Sequence, residues 1–148
     1  MHTGFIVRVL FYLQNWGMGY VEVNTNPKGK RVNDCVIRAI STATGKTWDE
    51  IYIDLMLEGF YFKDYPNANY IWGYYLKNIG YTKHIIPDDC PECYSIREFA
   101  EDYPDGIYIV ATGSHVVAVA DGDYYDTWDS GDEVPVYYYR KEEQNNGI

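Results

Sequence analysis

The dipeptide Asp121-Gly122 constrains this chain more than any other feature. It stands between an unbroken apolar run, Val116 to Ala120, and a β-rich run, Asp123 to Trp128. Asp-Gly favours the positive φ angles of a two-residue hairpin turn, so the two runs are expected side by side as antiparallel strands. A two-residue turn sets Val117 opposite Asp126 and His115 opposite Trp128, leaving Asp126 on the face of His115 and one diagonal step away. A three-residue turn centred on Gly122 brings Asp129 opposite His115 instead. Both registers are open at this level.

The hairpin belongs to a β-rich C-terminal third. Ile107 to Ala111 and Val134 to Tyr139 read as further strands, and Tyr20 to Val23 is strand-like near the start. Between them lie four helical segments. Asn33 or Asp34 is a good N-cap for a helix that carries Val36, Ile37, Ala39, Ile40 and Ala43 inward and stops at Gly45. Thr47-Trp48-Asp49-Glu50 is a capping box, followed by Ile51, Leu55 and a stop at Gly59. The spacing of Tyr70, Ile71, Tyr74, Tyr75 and Ile79 predicts a third helix ending at Asn78, before Gly80. Ser95 to Glu98 forms a second capping box, opening a helix that runs to about Tyr103 ahead of Pro104. Helices followed by an antiparallel meander define an α+β chain, with the helices packed on the sheet.

At 148 residues a single domain is expected. Met1 to Gly17 differ in character from the rest of the chain, and Met18 stands directly before the strand-like segment. That stretch reads as an accessory strand or helix, or as a translated leader. Its apolar part, Phe5 to Leu13, is broken by Arg8 and is far shorter than the roughly 20 residues of a membrane span. Residues 141–148 read as a frayed tail.

The 22 acidic residues outnumber the 12 basic ones, giving a net charge of −10. Such a surface is a poor match for nucleic acid and a better one for a basic or neutral polypeptide. With three cysteines and no secretory pattern, a cytoplasmic protein with reduced thiols and no disulfide framework is expected. No glycine-rich phosphate cradle occurs, so no nucleotide cofactor is implied. Cys90-Pro91-Glu92-Cys93 has the spacing of half a zinc site, with His84 and Asp88-Asp89 before it, but no second pair supplies four ligands. These two thiols read as ordinary ones on an exposed loop, able to form a redox-labile bond, and no metal is expected.

Cys35 differs from them. In the first turn of a helix it feels the positive end of the backbone dipole and unpaired N–H groups, both of which favour thiolate over thiol. The bland alternative is a small apolar side chain at the start of a buried helix. Far along the chain, His115 heads the strand Val116 to Ala120, and the hairpin returns a carboxylate beside it, Asp126 in one register and Asp129 in the other. A carboxylate so placed holds an imidazole in one tautomer. Asp34, next to the thiol, opposes thiolate formation unless it caps the helix or pairs with Arg31 or Arg38. Arg38, one turn further on, is expected to face away from the thiol into a salt bridge. Trp48 and Trp128 are expected to be core or cleft-wall aromatics.

A helix-borne cysteine, then a histidine at the head of a strand, then an acid on the next strand is the order found in papain-like cysteine peptidases. Asn33 to Ala39, and Ser114 to Val119 continuing through Tyr125 to Asp129, resemble segments of small papain-like proteins of phages and bacteria. The likeness spans about residues 20–140, with only those two segments specific. It implies a papain-like fold and hydrolysis of a peptide, isopeptide or related amide bond, with Cys35 as nucleophile, His115 as base and Asp126 orienting the imidazole. It further implies half an oxyanion hole at the Cys35 N–H. The pattern usually adds a glutamine six residues before the nucleophile, where this chain has Gly29. Asn33 is the candidate for the missing donor, with Asn26 and Gln14 more distant. The missing glutamine, the 17 tyrosines and the acidic surface fit a second reading: a non-catalytic binding or inhibitor protein of the same fold that engages a basic partner.

Overall fold

The computed structural model describes residues 19–87 and 94–143. Ten elements succeed one another along the chain: β1 (Tyr20–Glu22), α1 (Cys35–Thr44), α2 (Trp48–Phe62), α3 (Asn69–Asn78), β2 (Tyr81–Ile85), α4 (Ile96–Asp102), β3 (Ile107–Ala111), β4 (Val116–Ala120), β5 (Asp123–Asp126) and β6 (Tyr137–Lys141). The arrangement is α+β, as expected. The strands form one six-stranded sheet in the order β1-β5-β4-β3-β6-β2.

The sheet is mixed rather than wholly antiparallel, because β1 runs parallel to β5, pairing Tyr20 with Tyr124 and Glu22 with Asp126. The four helices between β1 and β5 allow a crossover that no hairpin could make. β2 was not expected. Its residues, Tyr-Thr-Lys-His-Ile, carry too few apolar side chains to stand out, and pairing with β6 from Tyr81↔Lys141 to Ile85↔Tyr137 makes it a strand. That pairing also draws Lys141 into the sheet, where its ammonium donates to the Ile79 carbonyl at 2.6 Å, so the ordered chain runs past the expected start of the tail.

Both capping boxes form, at Thr47 and Glu50 and at Ser95 and Glu98. The second helix does not stop at Gly59 but continues to Phe62, ending on Lys63 in the left-handed region. Gly59 serves close packing: a Cβ there would lie 2.7 Å from the Asp64 carbonyl oxygen. The strand expected at 134–139 is shifted to Tyr137–Lys141, and the one from Asp123 ends at Asp126.

Asp121 and Gly122 have φ of 49° and 85°, the two positive angles of a type I′ turn. The resulting register pairs Ala118 with Tyr125 and Ala120 with Asp123. This is the two-residue alternative. β3 and β4 are apolar throughout because both faces of the sheet are covered. Ile109, Ala111, Val116 and Ala118 pack with Ile40, Leu55, Trp72 and Leu76 of the helices α1, α2 and α3. The alternate residues Tyr108, Val110, Val117 and Val119 pack with Ile96, Phe99 and Ala100 of α4. Antiparallel pairing brings the end of β3, the start of β4 and the end of β5 to one edge of this double core. Among the described residues, no helix is long and apolar enough to cross a membrane.

Candidate active site

Cys35 is the first residue of α1 and is half-buried. Its N–H is one of the four at a helix start that have no partner within the helix. His115 immediately precedes β4, and its backbone is fixed by Thr112. The His115 N–H donates to Thr112 Oγ1 at 2.9 Å, and its carbonyl accepts from the Thr112 N–H at 2.8 Å. This short Thr-Gly-Ser-His link sets where the imidazole can point.

Asp126, at the end of β5, is only 3% exposed. Its Oδ2 accepts from His115 Nε2 at 2.5 Å and from Ser130 Oγ at 2.7 Å. Its Oδ1 accepts from Arg38 Nη1 at 3.1 Å and from the Thr127 N–H at 2.8 Å. Both oxygens are therefore filled. With Nε2 committed to Asp126, Nδ1 is the ring nitrogen left for Cys35. The Trp128 ring, 5.3 Å from the imidazole between centroids and 43% exposed, stands beside the pair on the solvent side.

These contacts set the electrostatics. Burial pushes the Cys35 thiol up, but hydrogen bonds from His115 and the Val116 N–H, with the charges of His115 and Arg38, bring it below the ordinary thiol value. Burial alone would lower the His115 pKa. The bond to Asp126, the contact with Cys35 and the negative charge of both reverse that and raise it to about 9. Asp126 is pushed up by burial and pulled down further by His115, Ser130 and the Thr127 N–H, ending below the usual carboxylate range. All three shifts favour one state: thiolate, imidazolium and carboxylate together.

A cleft of about 410 Å³ opens at Cys35 and His115. Val36, Tyr52, Leu55, Met56 and Tyr137 give it apolar walls, while Asn33, Asn67, Asn69 and Ser114 add amide and hydroxyl groups. Among the described residues, neither lysine nor arginine lines it. With Asp34 also on the lining, a neutral, apolar or basic chain can lie there with a few polar contacts to orient it.

Cys35, His115 and Asp126 are thus brought together, and Asp129 is not. Asp129 turns the other way, accepting from Tyr124 Oη at 2.6 Å and the Gly131 N–H at 3.1 Å. Asn33 is exposed and lines the cleft beside Cys35; it is not the cap of α1. Asp34 holds the N-cap position, but its carboxylate makes no capping bond. It accepts instead from Arg38 Nε at 2.8 Å and Trp48 Nε1 at 2.9 Å. Arg38 makes the expected salt bridge but does so inward: it is buried, pairs with Asp34 and reaches Asp126 and Thr127. The sequence reading named Arg38 as a salt-bridge residue and possible partner of Asp34 but missed its contact with Asp126, and it missed Thr127, Ser130 and Thr112 altogether. Only Arg38 left a signal there, as an arginine four residues after Asp34 on one helix face.

Comparison of the chain with protein-family models, with curated proteins and with solved structures finds no match. Cys90 and Cys93, like the segment Met1 to Gly17 with Gln14, lie outside the described residues. Among the described residues, no three His, Cys, Asp or Glu side chains are grouped to hold a metal ion.

Proposed function

We propose that this chain is a thiol hydrolase of papain-like fold that cleaves a peptide, isopeptide or related amide bond. One observation carries the reading. Cys35 at the start of α1 meets two side chains of a distant hairpin, His115 just before β4 and Asp126 at the end of β5, in the order thiol, imidazole, carboxylate, with the thiol opening on a cleft.

In the reaction, the Cys35 thiolate adds to the carbonyl carbon, forming a C–S bond while the carbonyl π electrons move to oxygen. The Cys35 N–H and the Asn33 side-chain amide stabilise that oxyanion. Collapse of the adduct breaks the C–N bond, and the His115 imidazolium gives its proton to the leaving amine. Neutral His115 then takes a proton from water. That transfer restores the imidazolium; the hydroxide so formed adds to the thioester, and collapse of the adduct breaks the C–S bond, releasing the acid and restoring the Cys35 thiolate. Asp126 remains ionised throughout, holding the imidazole in place.

A second reading rests on a different surface. Ile53, Leu57, Phe60 and Tyr61 on α2 are 57% to 75% exposed, an apolar face of the kind that engages another protein. On this reading the chain is a non-catalytic binding or inhibitor protein of the same fold.

Alkylation of the three cysteines by iodoacetamide, followed peptide by peptide by mass spectrometry, separates the two. The hydrolase reading expects Cys35 to react at pH 6 far faster than Cys90 and Cys93, and to lose that advantage in His115→Ala. Equal, ordinary reactivity in both proteins would discard the hydrolase in favour of the binding module.

A further inference from the structure

Arg38 sits behind the site rather than in it, and its surroundings are unusual for an arginine on a helix. It is 8% exposed and shared by two buried carboxylates, donating from Nε to Asp34 Oδ1 at 2.8 Å and from Nη1 to Asp126 Oδ1 at 3.1 Å. Nη1 also donates to Thr127 Oγ1 at 3.0 Å, and Asp34 is tied to α2 through Trp48 Nε1 at 2.9 Å. We infer that Arg38 is a positioning residue of the reaction, holding the Asp126 carboxylate so that its other oxygen faces His115 and supplying the positive charge on which the thiolate–imidazolium pair rests. The inference builds on the thiol-hydrolase reading.

Stability alone is a poor reason for this arrangement. Desolvating such charges costs several kcal/mol per ion, and well-packed apolar groups commonly replace a buried ion pair with no loss. The charges make sense once His115 and Cys35 are included. From α2 inward they alternate: Asp34 negative, Arg38 positive, Asp126 negative, His115 positive, Cys35 negative. Remove Arg38 and buried Asp34 is left without its cationic partner, Asp126 keeps only the imidazolium, and the sulfur loses a cation.

Geometry points the same way. Asp126 has two donors on each oxygen, so rotating the carboxylate away from His115 would break bonds on both sides. A planar guanidinium can grip Asp34, Asp126 and Thr127 together, whereas an ammonium is a point donor on a flexible stem. Arg38→Lys therefore keeps the charge and loses the grip.

The test is the pH midpoint of Cys35 alkylation by iodoacetamide in the parent, Arg38→Met and Arg38→Lys, with Cys90 and Cys93 as internal references and near-UV circular dichroism to confirm folding. Arg38→Met is expected to raise the midpoint by up to about one pH unit, through loss of the cation and of the hold on Asp126 together. Arg38→Lys is expected to raise it by about half as much, through loss of aim. A merely structural arginine lowers stability and leaves the midpoint where it was. A parental midpoint in folded Arg38→Lys overturns the inference whatever Arg38→Met does, and leaves the hydrolase reading intact. Should Arg38→Met fail to fold, Arg38→Lys decides alone. A parent whose Cys35 titrates like its references overturns both.

Discussion

Two arginine–aspartate clasps hold the chain just after β5, and they differ in burial. Arg38 grips Asp126 at the start of that segment, with side-chain exposures of 10% and 2%. Arg97, on α4, grips Asp129 at 3.6 Å and Asp132 at 2.5 Å a few residues on, with the two carboxylates 42% and 89% exposed. Water solvates the second pair and takes most of its energy. In the first, the carboxylate has no solvent to satisfy it, so every donor around it fixes its direction. Only Asp126 can then aim a histidine. Asp129, three residues away, spends its strongest contact on Tyr124, whose hydroxyl is pushed up to about 12 by burial and by that bond.

The largest expected effect comes from breaking the buried clasp. Asp126→Ala leaves Arg38 facing a cavity with one carboxylate fewer, at a cost of about 3–5 kcal/mol, measurable by urea unfolding. His115 then loses its main anionic partner, and Cys35 alkylation at pH 6 should fall by about tenfold or more. The same clasp should show in the pH dependence of stability. His115 is raised in the folded chain from 6.5 to about 9, so its contribution is full below about pH 6.5 and is lost as pH rises through about 9. Asp126 is lowered from 3.8, so its contribution is present above that value and lost as pH falls through its folded pKa. Cys35, lowered from 9.0, contributes with the opposite sign on the alkaline side, so the test is made in a Cys35→Ser background: unfolding free energy from urea titrations should decline on both sides, and His115→Ala should flatten the alkaline limb. An unchanged alkaline limb in that variant would detach His115 from the pair.

An intermediate effect is expected at Thr127, whose hydroxyl accepts from Arg38 at 3.0 Å. Thr127→Val leaves that N–H with one acceptor fewer at a buried position, a loss of about 1 kcal/mol in urea unfolding. A loss as large as that of Asp126→Ala would mean that the hydroxyl, and not the carboxylate, anchors the guanidinium.

The choice between Asp126 and Asp129 was narrowed to two registers locally, by Asp121-Gly122, because a tight turn leaves strand pairing little freedom, and the two-residue turn is the one that forms. The capped helices were legible for the same reason: Thr47 with Glu50 and Ser95 with Glu98 satisfy their own orphan N–H groups within four residues. What the sequence hid is long-range. The parallel pairing of β1 with β5 and the recruitment of β2 by β6 depend on how far-apart segments meet. Arg38 was misread because an arginine near the start of a helix has many acids within reach in a chain of this charge. Asp34 is its neighbour one helical turn back, but only the packing of α1 across β4 and β5 decides that Asp126 is the second carboxylate it meets.

The smallest effect sharpens the contrast. Arg97→Ala removes an exposed clasp, so its cost should stay below about 1 kcal/mol and shrink further in high salt. Because Asp129 and Asp132 remain solvated, neither is left as a stranded charge. More telling is what should not move: with Asp126 still held by Arg38, Ser130 and Thr127, the pH midpoint of Cys35 alkylation in Arg97→Ala should match the parent's. A shift comparable to that of Arg38→Met would show that the loop from Thr127 to Pro135 transmits strain from one clasp to the other. Burial would then not be what separates the arginine that pins a loop from the arginine that aims a catalytic pair.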